Sequence, residues 1–118
     1  MIERYTRPQM GRLWTEKHRF RTMLEVELLA CEGLARIGGM PWAAYRRIRR
    51  KVHVRVDRIH RLEARTQHDV IAFLESLTPA LGKDSAYLHL GLTSSDILDT
   101  SLAVLMGQAA DLLIADVK

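Results

Sequence analysis

The sequence predicts an all-α chain, on three observations. Apolar residues recur at spacings of three and four along most of its length, the period of a helix face. No stretch shows the strict alternation of a half-buried strand. Helix start and stop signals punctuate it at Pro8, Thr15, Gly38-Gly39, Pro41 and Thr93.

Residues 1–7 are polar and irregular. Pro8, tolerated in a first turn, opens a short helix to Trp14. Thr15 caps a long helix over about 16–37. Its apolar residues are Phe20, Met23, Leu24, Val26, Leu28, Leu29, Cys31, Leu34, Ala35 and Ile37, a face broad enough to want partners on more than one side. Gly38-Gly39 ends it by permitting left-handed backbone angles. Pro41 opens a third helix to Lys51, and a fourth covers 56–66 with only Ile59 and Leu62 as clear apolar anchors, so most of it should be exposed. A fifth begins near Asp69 and directs Val70, Ile71, Phe73, Leu74 and Leu77 inward. Pro79 inside that pattern and Gly82 at its close predict a kink or an irregular last turn. Residues 82–92 read as a loop. The last helix runs from Ser94 toward Lys118 with no stop signal, and Ile97, Leu98, Leu102, Leu105, Leu112, Leu113 and Val117 give it more apolar surface than one small domain needs. The expectation is the N-terminal piece of something longer.

The 118 residues suffice for one modest domain, and 47% hydrophobic content suffices for a core. No run of eighteen apolar residues occurs, so no membrane span is expected. The charged N-terminus lacks an apolar leader, which argues against secretion. The single cysteine, Cys31, falls in an apolar helical pattern and reads as a core residue in a reducing compartment; a cytoplasmic location is expected. Net charge is +4, and nine of the eighteen basic residues lie within 46–65, opposed there only by Asp57 and Glu63. A solvated helix face is the preferred reading of that segment over a nucleic-acid or acidic-partner surface, because no aromatics interleave to stack bases. The five histidines and one cysteine show no metal-ligand spacing, and neither a phosphate loop nor a dinucleotide fingerprint occurs. No metal and no cofactor are expected.

Residues 89–100 carry the most information. Three hydroxyls (Thr93, Ser94, Ser95) and the Asp96 carboxylate follow Gly91 at a helix start, and Thr93 with Asp96 matches a capping box. A helix N-terminus has unpaired N–H donors and the positive end of the helix dipole, which suits an anion; capping alone is the plainer reading. His68, between a helix end and Asp69, is on its own a surface or structural histidine.

Three segments in this order resemble one family: Arg4-Tyr5, Arg65-Thr66-Gln67-His68-Asp69-Val70, and the run from His89 to Thr100. They are similar to the N-terminal region of the adenylosuccinate lyases, of the fumarase/aspartase superfamily. Glu25-Val26-Glu27 and Ala72-Phe73-Leu74 share the likeness, which covers essentially the whole chain, and the Ser94-Ser95-Asp96 form points to this branch rather than to a cycloisomerase. The resemblance implies an N-terminal helical domain over 1–92, with 93–118 starting a central bundle of long helices at the core of a homotetramer. It implies β-elimination of fumarate from adenylosuccinate, giving AMP, and from the succinylated aminoimidazole carboxamide ribotide of purine synthesis. By the same resemblance Thr93 and Ser94 hold the succinyl part. Gln67, His68 and Asp69 lie at the substrate, with His68 assisting proton transfer or orienting the reacting groups. Arg4 and Tyr5 suit the nucleotide phosphate. His89, Ser95 and Asp96 are further candidates. Asp69 either fixes the histidine's tautomer or caps the next helix. The family's principal acid histidine and its catalytic serine are expected beyond Lys118, so this chain alone should not turn over substrate. Two alternatives remain: another superfamily lyase or cycloisomerase, and a non-catalytic helical module that binds a partner through 46–65.

Overall fold

A computed structural model describes residues 2–118. Six α-helices follow one another: α1 (Pro8–Leu13), α2 (Glu16–Arg36), α3 (Trp42–Lys51), α4 (Val56–Thr66), α5 (Asp69–Leu77) and α6 (Ser94–Val117). Short 3-10 turns cover Glu3–Tyr5, Thr78–Ala80 and Gly82–Tyr87. There is no strand among the described residues.

The caps fall where the sequence put them. Pro8 stands in the first turn of α1. Thr15 Oγ1 accepts the His18 N–H at 3.3 Å. At the end of α2, Gly39 N–H reaches the Leu34 carbonyl (2.8 Å) and Gly38 N–H the Ala35 carbonyl (3.3 Å). These two bonds form a Schellman motif, and it needs the left-handed φ of 77° at Gly38. Arg49, Arg50 and Lys51 close α3 against the negative end of its dipole.

α2 is the central element, packing on α1, α3, α4 and α6. It contributes Phe20, Met23, Leu28, Cys31 and Ala35 to a core completed by Ala44, Tyr45 and Ile48 of α3, Ile59 of α4, Val70, Ala72, Phe73 and Leu77 of α5, and Ile97 of α6. Phe20 and Phe73 stack with centroids 6.0 Å apart and planes 8° from parallel, joining α2 to α5. Three residues assigned to inward faces point out instead: Leu29 (57% exposed), Ile37 (80%) and Ile71 (44%). Leu29 and Ile71 lie beyond the edge of a stripe already filled by neighbours, with the small Ala72 taking the buried place next to Ile71, and Ile37 is the C-cap just past the end of α2.

The expected loop over 82–92 is more ordered than its polarity suggested. Its first half is the 3-10 helix Gly82–Tyr87, anchored by a buried carboxylate: Asp84 receives Arg47 Nε at 2.8 Å and Nη2 at 2.9 Å. This bidentate pair binds the loop to α3 and holds the Asp84 carboxyl below the usual carboxylate range. A depressed pKa makes the pair's stabilisation present above the unfolded-state pKa and lost as pH falls through the folded-state value. Asp84→Asn is therefore expected to lower the melting temperature at about pH 7. The gap to the parent should close as pH falls through the folded-state pKa of Asp84, below which both side chains are neutral. Thermal melts of the two proteins across that range check this, and a gap that stays constant would remove the ion pair as its cause.

α6 contains no run of eighteen apolar residues, yet Ser94–Val117 is long and apolar enough to cross a membrane by length and composition alone. Only one stripe of it is buried, Ile97, Ser101, Leu105 and Ala109, spaced by four against α2. Leu102, Val104, Met106, Leu113, Ile114 and Val117 remain exposed. Much of the apolar surface of α6 is thus without a partner among the described residues.

Candidate functional site

Thr93 has an extended backbone (φ −114°, ψ 166°) and begins α6 with a capping box. Its N–H donates to Asp96 Oδ2 at 2.8 Å. Asp96 Oδ2 is thus part of the cap. Among the described residues the backbone N–H groups and hydroxyls of Ser94 and Ser95 have no hydrogen-bond partner within the chain. These are four donors at the positive end of a 24-residue helix, an arrangement that suits an anion. The cap and these donors use different atoms of one turn.

The second group sits at the corner between α4 and α5. Gln67 takes the left-handed conformation (φ 52°) that ends α4, and its own side chain donates to the Ala64 carbonyl at 2.9 Å. His68 caps α5: Nδ1 accepts the Ile71 N–H at 3.4 Å. Accepting there leaves the proton of the neutral ring on Nε2. Asp69, offered as cap or tautomer-fixing partner, spends Oδ1 on the Val70 N–H at 2.8 Å and lies 3.6 Å from Nδ1, beyond a hydrogen bond. His68 itself is the cap, and its orientation comes from the helix rather than from Asp69. An Arg65–Glu75 pair at 2.6 Å fastens the corner across α4 and α5.

The third group is Arg4-Tyr5, exposed, with the Arg4 guanidinium 4.7 Å above the Tyr5 ring. Arg7 pairs with Asp116 near the far end of α6. A helix of that length spans roughly 36 Å, so the N-terminal segment and the Ser94–Ser95 turn lie toward opposite ends of it. No hydrogen bond or ion pair among the described residues joins any two of the three groups. The Arg4-Tyr5 segment and the α6 start therefore stand apart on one chain, and no direct hydrogen bond ties His68 to either. An apolar cleft of about 220 Å³, lined by Leu13, Trp14, Met23, Leu98 and Leu105, contains none of them.

His89 has firmer anchorage than its sequence signal suggested. Its backbone is left-handed (φ 61°), and its N–H and Nδ1 meet Glu27 Oε2 and Oε1 at 2.9 and 2.6 Å. Gln67 and His89 are the two non-glycine residues with positive φ among the described residues, and both were singled out from sequence. Backbone held in such sparsely populated regions concentrates at functional sites. Glu27 carried no role in the sequence reading. The available signal was a carboxylate at the four-residue spacing from Met23 and Cys31 on the buried stripe of α2. Cys31 fills the core beside it, and burial, with a further push from Glu27, raises the thiol to about 11, which makes it a poor nucleophile.

Four of the nine basic residues of the 46–65 segment form ion pairs within the chain. Arg47 pairs with Asp84, Arg55 and Arg61 with Asp57, Arg65 with Glu75, and Arg49 donates to Tyr45 at 2.7 Å. No group of three His, Cys, Asp or Glu suited to a metal ion occurs among the described residues.

No family model matches the chain. All 118 residues align with curated proteins named adenylosuccinate lyase: 42% identity to that of Bacillus subtilis (strain 168), 43% to that of Synechocystis sp. (strain ATCC 27184 / PCC 6803 / Kazusa), and 39% to that of Staphylococcus saprophyticus subsp. saprophyticus (strain ATCC 15305 / DSM 20229 / NCIMB 8711 / NCTC 7292 / S-41). In each case the chain spans 27% of the relative's length. The crystal structure of a fumarate lyase from Mesorhizobium sp. BNC1 superposes with a TM-score of 0.74 at 24% identity, over 82% of this chain and 24% of that one. That likeness shows the all-α fold. In sequence and in fold the chain is thus similar to about a quarter of each of these lyases. Along its whole length the chain is similar in sequence to the matching part of proteins named adenylosuccinate lyase.

Proposed function

We propose that this chain forms part of an adenylosuccinate lyase, which releases fumarate from adenylosuccinate and from the succinylated aminoimidazole carboxamide ribotide by β-elimination. The observation that carries the reading is the 39–43% identity over all 118 residues to proteins of that name. The α6 start supports it chemically. In β-elimination a base removes a proton beside a carboxylate, the carbanion spreads its charge into that carboxylate, and an acid protonates the departing nitrogen. Donors already aimed at the carboxylate stabilise the charge as it grows. The unpartnered N–H and hydroxyl groups of Ser94 and Ser95 supply such donors, so Thr93 serves as cap while Ser94 and Ser95 bind the succinyl group.

His68 offers Nε2–H at the α4–α5 corner, where it assists proton transfer or orients the leaving group. Arg4 and Tyr5 meet the nucleotide phosphate. The separation of Arg4 and Tyr5 from the α6 start, with the uncovered apolar faces of α6, supports a homotetramer whose sites combine residues of several copies. In this reading residues 1–92 form the first domain and 93–118 enter the central bundle. The full-length gene product is expected to release fumarate from adenylosuccinate, followed by ultraviolet absorbance. Activity on a different amino-acid or dicarboxylate substrate, with none on adenylosuccinate, would reassign it within the superfamily.

A further inference from the structure

Glu27 is a fully buried carboxylate on α2 to which the elimination reading gives no role. Both of its oxygens are committed to one residue, the backbone N–H and ring Nδ1 of His89. A carboxylate only accepts, so Nδ1 carries the proton in this pair. The other ring nitrogen, Nε2, has no partner among the described residues, and no buried side-chain nitrogen there lacks one, so Nε2 opens to solvent. The His89 carbonyl in turn accepts the Leu92 N–H at 3.3 Å, closing a turn that ends one residue before Thr93. One buried carboxylate therefore fixes a strained backbone, a ring tautomer and the approach to the start of α6.

We infer that Glu27 is a positioning residue for the elimination: it locks His89 in the left-handed turn with Nδ1 protonated, and so presents Nε2 to the substrate held at the Ser94–Ser95 helix start. The inference rests on the lyase reading above. A carboxylate that only braced the loop would have no reason to meet Nδ1 as well as the backbone, and the two roles separate in a double-mutant cycle.

Glu27→Gln keeps the size of the side chain and can still accept the His89 N–H. Its amide, however, presents a donor to Nδ1 and favours the opposite tautomer. In the full-length enzyme, E27Q is expected to lower kcat/KM for adenylosuccinate roughly ten- to a hundredfold, as for other partners that orient a histidine. Its helical circular dichroism at the assay temperature should match the parent. H89A should fall at least as far, and adding E27Q to H89A should slow it no further, because the pair acts as one unit. The same cycle read as fumarate affinity by calorimetry covers the case in which H89A is too slow to assay. An E27Q enzyme as fast as the parent overturns the inference, as does an E27Q penalty undiminished in the H89A background or a loss that merely tracks lost helix signal. A parent enzyme that releases no fumarate from adenylosuccinate overturns the lyase reading instead, and that result precedes any variant.

Discussion

Ser94→Ala in the full-length gene product is expected to lower kcat/KM for adenylosuccinate about a hundred- to a thousandfold, the effect of removing one donor aimed at a developing oxyanion. Ser94 is the first residue of α6, and its hydroxyl has no partner within the chain among the described residues. The hydroxyl is thus free to bind, and its deletion leaves no internal hydrogen bond broken. The substrate carboxylate carries one negative charge before proton removal and gains more in the carbanion. A donor there binds the transition state more tightly than the ground state, so kcat and kcat/KM should fall together with little change in KM. The Thr93–Asp96 cap is untouched, so the helical signal should be retained. Initial rates of fumarate release over a range of substrate concentrations decide the matter. A variant at the parent rate would remove Ser94 from the site, and a raised KM with normal kcat would make it a ground-state binding group.

Phe73→Ala should be the most destabilising single change in the fold, at about 3–5 kcal/mol. Phe73 is fully buried and stacked on Phe20, the contact that joins α5 to α2. Removing the ring discards its own burial and leaves Phe20 facing a void between two helices. A domain of this size is stable by only about 5–15 kcal/mol, so such a loss consumes a large share and in a marginal case unfolds the chain. It would also free the α4–α5 corner that carries Gln67, His68 and Asp69. Denaturant titration of parent and variant measures the difference. A loss below about 1 kcal/mol would mean that the α2–α5 contact does not hold the corner.

The legible parts of this chain are local ones. Thr15, Gly38-Gly39, Pro41 and the Thr93–Asp96 box act on atoms a few residues away, so their sequence positions gave the helix ends directly. The corner residues Gln67 and His68 and the α6 start were recognisable for the same reason: each motif is built within one turn of backbone. The misassignments of Leu29, Ile37 and Ile71 arose where hydrophobicity outran the available partners, because a helix face has width but its neighbours cover only part of it. The ordered 3-10 stretch was missed because it is held by the Arg47–Asp84 pair, 37 residues apart, and by no apolar period of its own.

The sequence by itself determined the helical class, the helix boundaries, the lyase kinship and the donor-rich turn at Ser94–Ser95, since these depend on residue types at short spacing. Only the tertiary structure decided what Glu27 does, because its two bonds to His89 cross 62 residues. It alone placed Arg4-Tyr5 and the start of α6 toward opposite ends of that helix, because packing, and not spacing along the sequence, sets which helix ends meet.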